Sequence, residues 1–310
     1  MKTAKAFAPA AISSFFEICD TQNGKPIADL ERVGARGGGF GLQKGTTTTL
    51  TVEKADKNSI QVFINKKLIL QNSTTQKVIE TLLAKTSVKY AVMVEHEVQV
   101  PVGMGFGTSA AGALNSGLAL AEALNLPLTY NQIGKMAHVA EIECQTGLGT
   151  VSSLTFGGKC ILVTDPGAPG ICQTDRITVS PNYVLVAGFF DRKIPKEPIF
   201  SSPKRKEDIN RIGRATMQKI LKKPSVENFL ACCWEFSQKA DFATENVRRL
   251  VGLAEAAGAV GYAQNMLGEA VHCLVVEEKA DCVAQAFMQV LPYGNVIVSK
   301  LDALGVRLIK

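Results

Sequence analysis

The clearest pattern of apolar and polar positions lies in residues 92–126. Residues 92–100 alternate in the way that is typical of a half-buried β-strand, and Pro101 ends the alternation because proline cannot donate a hydrogen bond to a neighbouring strand. From about Ala110 the chain is rich in alanine and leucine, which favours a helix. Between the two lies a loop of glycines and hydroxyl residues: Gly103, Gly105, Gly107, Thr108 and Ser109. The pattern therefore predicts a strand, a glycine-rich loop and a helix in direct succession.

A loop that leads into a helix in this way can bind an anion. The first backbone N–H groups of a helix have no partner within the helix, and the helix dipole adds partial positive charge there, so phosphate is a natural ligand. Glycine permits a positive φ and a close approach of the backbone. Thr108 and Ser109 are candidates to cap the helix or to contact a phosphate oxygen or a metal ion. An ordinary glycine-rich turn with a capping hydroxyl fits the local spacing equally well.

Three known motifs do not match this loop. A Walker-type phosphate loop needs Gly-Lys followed by Ser or Thr, and the chain has no such tripeptide. A dinucleotide-binding fingerprint needs a third glycine where Ala110 stands. The nucleophile elbow of serine hydrolases, Gly-x-Ser-x-Gly, lacks its last glycine at Ala111.

The rest of the first half also shows clear periodicity. Residues 46–70 alternate with a break at residues 56–58, which predicts two antiparallel strands joined by a turn. Residues 74–86 predict a short helix, and Thr129 is the predicted N-cap of a helix over residues 131–145. The N-terminal segment predicts a first strand and a turn, and residues 156–170 predict a turn, a strand and a connection rich in proline and glycine.

The second half begins after a connection rich in proline and glycine at residues 156–170. We place a domain boundary there, with domains at 1–165 and 166–310. The predicted elements are a buried strand, a helical region, a strand, a helix and a strand: residues 183–190, 207–257, 271–276, 279–290 and 295–299. This order fits a ferredoxin-like C-terminal domain. Asp191, Arg192 and Lys193 follow the first of these strands, either as a solvated strand end or as functional groups.

Composition excludes several classes of protein. The 310 residues suffice for one large or two ordinary domains, and 46% hydrophobic with 20% charged residues is typical of a soluble globular protein. The net charge of +6 is modest, and residues 204–206 are the clustered basic run, interpreted as a solvated loop, so nucleic-acid binding is not expected. The chain contains no run of about twenty apolar residues, so no membrane-spanning helix is predicted. A homodimer stays open.

The cysteines and histidines predict neither a zinc site nor a disulfide frame. The eight cysteines form no Cys-x-x-Cys pair, and the three histidines lie far apart in the sequence. Reduced, buried thiols in a cytoplasmic protein are the simplest interpretation.

The segment from Pro101 to Ala111 resembles the second motif of the GHMP kinases, the superfamily of galactokinase, homoserine kinase and mevalonate kinase. Their pattern is a proline, three residues, and then Gly-Leu-Gly-Ser-Ser-Ala-Ala; here Gly105-Phe106-Gly107-Thr108-Ser109-Ala110-Ala111 occupies the second part. The resemblance implies an α+β fold, with an N-terminal domain like ribosomal protein S5 and a ferredoxin-like C-terminal domain. It also implies that ATP binds at Pro101, Gly103, Gly105, Phe106, Gly107, Thr108, Ser109 and Ala110.

Three other segments are similar to the pantoate kinases, an archaeal branch of the GHMP kinases. Residues 6–16 follow the pattern Ala-Phe-x-Pro-Ala-x-Ile-Ser/Thr-x-Phe-Phe, residues 37–45 carry a triple glycine before Leu-x-Lys-Gly, and residues 266–268 read Met-Leu-Gly. The resemblance implies that ATP phosphorylates pantoate to 4-phosphopantoate in coenzyme A synthesis. The expected substrate-binding residues are Ser13, Arg36, Gly38, Thr150 and Met266. A mevalonate or homoserine kinase, or an inactive GHMP protein that senses a ligand, are the alternatives.

For Arg36 and for the two glutamates of the predicted helix over residues 131–145, a physical argument exists beside the resemblance, and an alternative stays open. Arg36 precedes the triple glycine, and its fork of donors suits a carboxylate such as that of pantoate, although a surface arginine in a loop fits as well. Glu141 and Glu143 border opposite edges of the apolar stripe of residues 131–145, and spacing does not choose between them. The resemblance implies that Glu141, with the hydroxyl of Ser109, binds Mg²⁺, which takes oxygen ligands and few carboxylates beside nucleotide phosphates. A solvated helix edge is the alternative.

Thr150 departs from the family pattern. The corresponding segment of pantoate kinases is similar to Thr-Gly-Leu-Gly-Asp-Val, whereas residues 146–151 are Thr-Gly-Leu-Gly-Thr-Val. A threonine is not a general base near pH 7. Because phosphoryl transfer passes through a loose transition state, positioning of the hydroxyl can suffice, so we expect kinase activity with Thr150 positioning the substrate. The expected catalytic residues are thus Ser109, Glu141 and Thr150.

Overall fold

The computed structural model describes residues 1–71, 73–191 and 202–310, which form two β-sheets with helices packed against them. The strands in chain order are β1 (Lys2–Cys19), β2 (Thr21–Gln22), β3 (Lys25–Pro26), β4 (Gly34–Lys54), β5 (Ser59–Ile64), β6 (Lys67–Ile69), β7 (Tyr90–Val98), β8 (Cys160–Asp165), β9 (Gln173–Ile177), β10 (Tyr183–Phe189), β11 (Gly261–Gln264), β12 (Ala270–Val276), β13 (Val296–Lys300) and β14 (Arg307–Ile309). The α-helices are α1 (Ser73–Leu83), α2 (Thr108–Leu124), α3 (Tyr130–Glu143), α4 (Thr150–Phe156), α5 (Pro203–Lys222), α6 (Val226–Lys239), α7 (Glu245–Ala256) and α8 (Ala280–Met288).

The large sheet is built on the two longest strands. Its order is β14-β1-β4-β7-β5-β6, and β8 pairs with β4 and with β9. Strands β1 and β4 are antiparallel along almost their whole length. Helices α1, α2 and α3 pack against one another, and α2 also packs on β1 and β4. The loop before α2 is therefore held against the two central strands of the sheet.

The predicted hairpin of residues 46–70 is wrong in its pairing. Both strands exist, as β4 and β5, but β7 lies between them, antiparallel to β4 and parallel to β5. The parallel pair requires a crossover, which α1 provides. Alternation of apolar residues predicts a strand but carries no information about which strand it pairs with.

The small sheet has the predicted ferredoxin-like arrangement. Its order is β11-β12-β10-β13, and all three pairs are antiparallel. In chain order the unit is strand, helices, two strands, helix and strand, which is the split β-α-β pattern. The prediction of a ferredoxin-like unit is confirmed.

The division of the chain at residue 165 stays a prediction. The sheets are not divided at this residue, because β9 still pairs with β8, and β14 returns from the chain's last residues to pair with β1. An aromatic cluster also joins the two halves: the Phe229 ring lies 6.1 Å from Phe15 and 5.5 Å from Phe40, between ring centroids. Helix α6, which carries Phe229, therefore packs directly on the long strands of the large sheet.

The basic run at residues 204–206 is not the predicted solvated loop. It forms the first turn of α5, which Ser202 caps by accepting a hydrogen bond from the Arg205 N–H. Arg205 contacts the Ala240 carbonyl and the Phe242 ring, and Lys206 forms an ion pair with Asp20. Side-chain partners from other elements explain the difference. Arg192 and Lys193, predicted as a solvated strand end, lie outside the described residues.

Two further expectations concern thiols and membranes. All eight cysteines are free. Four of them are buried, whereas the expectation of buried thiols is wrong for the partly exposed Cys19, Cys144 and Cys172 and for the exposed Cys282. Within residues 1–71, 73–191 and 202–310, no helix has the length and apolar content that a membrane crossing needs.

Candidate active site

The glycine-rich loop has the backbone conformation for which glycine is required. Gly103, Gly105 and Gly107 have φ values of 83°, 80° and 65°, in the left-handed region. Other residues adopt this region only at a cost. The prediction that these glycines let the loop curl into the helix is confirmed.

The first turn of α2 leaves its backbone donors available to a ligand. Gly107 is the N-cap and no side chain caps the helix, so the alternative in which Thr108 or Ser109 acts as the cap is wrong. The first hydrogen bond of the helix runs from the Ala111 N–H to the Gly107 carbonyl. The N–H groups of Thr108, Ser109 and Ala110 therefore have no intrahelical acceptor, which is the arrangement that favours an anion.

Two of the expected ATP-binding residues face the core with their side chains. Phe106 is buried, and its ring centroid lies 6.0 Å from that of Phe189. Its carbonyl accepts a 3.1 Å hydrogen bond from the Ala11 N–H, which anchors the loop to β1. Ala110 is also buried. These two residues can offer only backbone groups to a nucleotide, and their role, like that of Pro101, stays a prediction.

A chain of hydroxyl groups connects Ser109 to Glu141. The Ser109 hydroxyl donates to Thr74 at 3.2 Å, Thr74 and Thr146 hydroxyls are 3.2 Å apart, and Thr146 donates to Glu141 Oε1 at 2.8 Å. Because Thr146 donates to the carboxylate, the hydroxyl of Thr74 is the donor between the two threonines. Each donor thus points toward Glu141, and the lone pairs of the Ser109 oxygen are left for a ligand. Sequence reasoning missed Thr74 and Thr146, since each gains its role only through this contact.

The structure distinguishes the two carboxylates of α3. Glu141 is only 3% exposed, and Gly147 lies against it so closely that a Cβ at this position would meet Oε2. Glu143 lies at the surface, where its carboxylate forms a 3.0 Å ion pair with Lys77. The surface position expected of a solvated helix edge belongs to Glu143, and Glu141 faces the hydroxyl chain.

The chemistry of this donor set fits Mg²⁺. A carboxylate and a hydroxyl are hard oxygen ligands, and Mg²⁺ beside nucleotide phosphates needs only one or two protein ligands. Among the residues that the structure describes, no group of three or more histidine, cysteine or acidic side chains could enclose a metal ion. A Mg²⁺ ion bound to nucleotide phosphates needs no such group.

A cleft of about 850 Å³ adjoins the glycine-rich loop. All five residues expected to bind substrate line it: Ser13, Arg36, Gly38, Thr150 and Met266. The cleft meets the loop at Gly107, where a Cβ would lie 2.9 Å from Thr150 Cγ2. The sequence-predicted residues are thus brought together from four segments, and their individual roles stay predictions.

Arg36 is already engaged by protein groups. Its Nε donates to the Thr164 carbonyl at 3.1 Å, Nη1 lies 3.3 Å from both oxygens of Glu17, and Nη2 lies 3.2 Å from Asp165. The side chain is 34% exposed. This geometry favours a structural role, in which Arg36 neutralises the buried Glu17 carboxylate.

The triple glycine is required by packing. A Cβ at Gly38 would lie 2.7 Å from Leu162 Cδ2, one at Gly37 would lie 2.5 Å from the Phe15 carbonyl oxygen, and one at Gly39 would meet the Ile12 carbonyl. Close pairing of β4 with β1 explains Gly37 and Gly39, whereas Gly38 lies against β8 and the Phe229 ring of α6. Gly38 therefore contributes backbone to the cleft.

No described residue replaces the missing aspartate at Thr150. Thr150 is the first residue of α4, and within the described part of the chain its hydroxyl has no hydrogen-bond partner. The acidic residues among those lining the cleft are Asp20 and Asp302, which pair with Lys206 and Arg307. A base-free mechanism is therefore consistent with the described residues.

The histidines are not candidates for a base either. His96, His138 and His272 are buried, and burial lowers the pKa of His96 to about 4 and that of His272 to about 3. His96 is held between the hydroxyls of Thr48 and Thr75, at 2.8 and 3.2 Å. None of the three side chains lines the cleft.

These buried histidines predict a loss of stability in mild acid. An unfolded histidine has a pKa near 6.5, so between pH 6.5 and about 4 the unfolded chain binds more protons than the folded one. Stability is complete above this interval and falls as the pH falls through it, by roughly 1.4 kcal/mol per pH unit for each such histidine. Urea unfolding at pH 7 and pH 5 measures the effect, and His96→Gln should show a shallower dependence. An unfolding free energy that is equal at both pH values would contradict the prediction.

Comparison with known proteins identifies the family of this chain. Residues 73–158 match the family model of the GHMP kinases N terminal domain, which includes the glycine-rich loop, Glu141 and Thr150. The pantoate kinase of Methanocaldococcus jannaschii is 30% identical over 88% of this chain and 93% of its own length. The pantoate kinase of Thermococcus kodakarensis is 28% identical, covering 93% of each chain.

A solved structure shows the same fold over the whole chain. It is described as a phosphotransferase related to the CoA biosynthesis pathway, with a TM-score of 0.87 and 25% identity, over 99% of this chain and 98% of that one. The fold and the site define an ATP-dependent small-molecule kinase of the GHMP superfamily. Within that superfamily, the chain belongs to the pantoate kinase family. The predicted fold class, α+β of the GHMP type, is confirmed.

Proposed function

We propose that this chain transfers the γ-phosphoryl group of ATP to the 4-hydroxyl of pantoate and so forms 4-phosphopantoate in coenzyme A synthesis. The observation that carries the proposal is the contact of Gly107 with Thr150, which joins the anion-binding loop to the cleft. A nucleotide phosphate on the loop and an alcohol in the cleft would meet at this point. The identity of the relatives as pantoate kinases supports the choice of alcohol.

In this proposal the loop and α2 bind the triphosphate. The unpaired N–H groups at the start of α2 and the helix dipole offset the negative charge of the phosphates. Glu141 and the Ser109 hydroxyl would hold Mg²⁺, which would supply positive charge beside the nucleotide phosphates. Thr74 and Thr146 orient these two ligands through the hydroxyl chain.

The cleft residues orient pantoate. Ser13 and Thr150 offer hydroxyls to the substrate, and Met266 lines the wall beside them. Arg36 could bind the pantoate carboxylate only by sharing donors with Glu17 and Asp165, so we assign it to the edge of the substrate site. Because the transition state is loose, alignment of the 4-hydroxyl with the γ-phosphate replaces early removal of its proton.

The test is ATP consumption with Mg²⁺ against pantoate, pantothenate, mevalonate, homoserine and shikimate. ADP release with pantoate alone supports the proposal. ADP release with another alcohol of this panel would indicate the activity of a different GHMP kinase. Tight binding of pantoate without turnover would favour a ligand sensor, the alternative that the threonine at position 150 raises.

Thr150→Asp tests the base-free mechanism. We expect the variant to preserve turnover or to raise it, because the carboxylate restores the aspartate of the pantoate kinase pattern. General-base catalysis typically increases the rate by roughly a hundred- to ten-thousand-fold. Thr150→Val is the matched control, which keeps the shape and removes the hydroxyl, and it should lower kcat/KM. Complete loss of activity in a folded Thr150→Asp variant would count against the alignment of Thr150 with the family's aspartate.

We also propose a cytoplasmic location. Eight free cysteines are typical of a reducing compartment. The homodimer stays a prediction, which the mass of the protein in solution would test.

A further inference from the structure

Three fully buried polar side chains form a chain between the two sheets. Ser14 Oγ lies 2.9 Å from His272 Nε2, and His272 Nδ1 lies 2.8 Å from Asn265 Oδ1. All three residues are 0% exposed. Ser14 belongs to β1, His272 to β12, and Asn265 to the turn after β11. The chain therefore ties the large sheet to the ferredoxin-like sheet through one imidazole.

Ser14 is the extra residue of a β-bulge. Ser13 pairs with Gly39 and Phe15 pairs with Gly38, so the register between β1 and β4 shifts at Ser14. A bulge changes the direction of neighbouring side chains and is common beside active sites. Here Ser13 lines the cleft, while the Ser14 side chain turns inward to His272.

Asn265 holds the opposite wall of the cleft in a similar way. It immediately precedes Met266 and Leu267, both of which line the cleft. The Met266 N–H donates a 2.8 Å hydrogen bond to the Ser13 carbonyl. His272 thus contacts Ser14 and Asn265, the chain neighbours of Ser13 and Met266. These two cleft residues are hydrogen-bonded to each other.

The hydrogen bonds assign a single tautomer to His272. Asn265 Oδ1 can only accept, so Nδ1 carries the proton and Nε2 accepts from the Ser14 hydroxyl. The other amide atom, Asn265 Nδ2, is buried and has no hydrogen-bond partner among the described residues. A buried donor without a partner is unfavourable. The contact with His272 is thus the hydrogen bond that the Asn265 side chain makes.

We propose that His272 is a positioning residue that aligns the alcohol substrate, by holding the Ser14 bulge and the Asn265–Leu267 turn in register with each other. The inference rests on the proposed function, because it assumes that the cleft binds the phosphate acceptor. His272 touches neither substrate nor nucleotide in this role. Burial keeps its pKa at about 3, so the imidazole stays neutral and the alignment holds at any pH near neutrality.

Steady-state kinetics of His272→Ala and Ser14→Ala test the proposal. Both variants should raise the KM for pantoate by roughly tenfold or more, because small misplacements of substrate groups are costly, and leave the KM for ATP within about twofold. The two effects should be non-additive in the double variant, since each removes the same link. Asn265→Asp, which keeps an acceptor for His272, should be milder than Asn265→Ala.

Cys273→Ala is the matched control. Cys273 follows His272 on β12, is equally buried and faces the opposite side of the sheet, where its thiol donates to the Val186 carbonyl. It should lower thermal stability without changing the KM for pantoate. His272 would be merely structural if His272→Ala raised the KM for pantoate and the KM for ATP alike. The same would follow if the variant lowered only kcat, in proportion to its unfolded fraction.

Hydrogen exchange gives a readout that does not depend on the substrate. The Met266 amide should exchange faster in Ser14→Ala and in His272→Ala than in Cys273→Ala, because its acceptor on Ser13 is released. If pantoate is not the substrate but another alcohol is, the KM test is made with that alcohol. Unchanged exchange at Met266 overturns the positioning role even if the kinase activity is confirmed. If His272→Ala does not fold, the result for Ser14→Ala decides the test.

Discussion

Glu141→Gln is expected to lower kcat/KM by about a hundred- to a thousand-fold, the range found when one preorganised electrostatic group is removed from an active site. The glutamine keeps the volume, and its amide oxygen still accepts a hydrogen bond from Thr146. It lacks the negative charge that a cation beside the ATP phosphates needs. ADP release measured over a range of Mg²⁺ concentrations checks the prediction, and saturating Mg²⁺ should not restore the rate.

Glu143→Gln is the control for this experiment. The two glutamates are two residues apart on α3, but Glu143 lies at the surface and pairs with Lys77. A surface ion pair contributes roughly 0–1 kcal/mol, so activity should stay within about twofold of the unchanged protein. More than half of the activity remaining in Glu141→Gln, or an equal loss in both variants, would remove Glu141 from the metal site.

Ser109→Ala is expected to lower kcat/KM by about ten- to a hundred-fold, in line with the loss of an orienting contact at a metal site. The change removes the oxygen that would bind the cation and also the first donor of the chain that runs through Thr74 to Glu141. The loss should be larger at low Mg²⁺ than at high Mg²⁺, because one ligand of the metal is missing. A titration of activity with Mg²⁺ measures this difference.

Ser116→Ala controls for the loss of a serine hydroxyl from α2. Ser116 is fully buried and donates to the Gly112 carbonyl at 2.8 Å, two turns after Ser109. Its replacement should affect stability slightly and leave the dependence on Mg²⁺ unchanged. Identical kinetics of the two alanine variants would contradict a role for Ser109 in binding the metal or the phosphates.

Local patterns predicted the elements of this protein better than their partners. The glycines of the loop before α2, the capping box at Thr129 and the strand-helix-strand order of the last third follow from residue chemistry over a few positions. The pairing of β4 with β7 depends on a strand about forty residues away. Periodicity describes which face of a strand is apolar and is silent about which strand lies beside it.

The same distinction applies to the candidate site. The loop at residues 103–110 and the odd threonine at position 150 are visible in the sequence, and the resemblance named the residues that line the cleft. The choice between Glu141 and Glu143 required burial, because both border the same helix stripe. The partners of Arg36 and of Arg205 also come from distant segments: Arg36 forms ion pairs with Glu17 and Asp165, and Arg205 contacts the Ala240 carbonyl. A surface arginine and a solvated loop are therefore plausible interpretations of the chain alone.

The sequence by itself determined the glycine-rich entry to α2, the α+β order of elements and the absence of a carboxylate at position 150. These properties follow from backbone freedom, apolar periodicity and side-chain type, all of which are local. Only the tertiary structure decided that Thr74 and Thr146 connect Ser109 to Glu141, and that His272 joins the Ser14 bulge to the turn beside Met266. Each of these links joins residues that are far apart in the chain. The first exists only once α1, α2 and α3 have packed together, and the second only once the two sheets have.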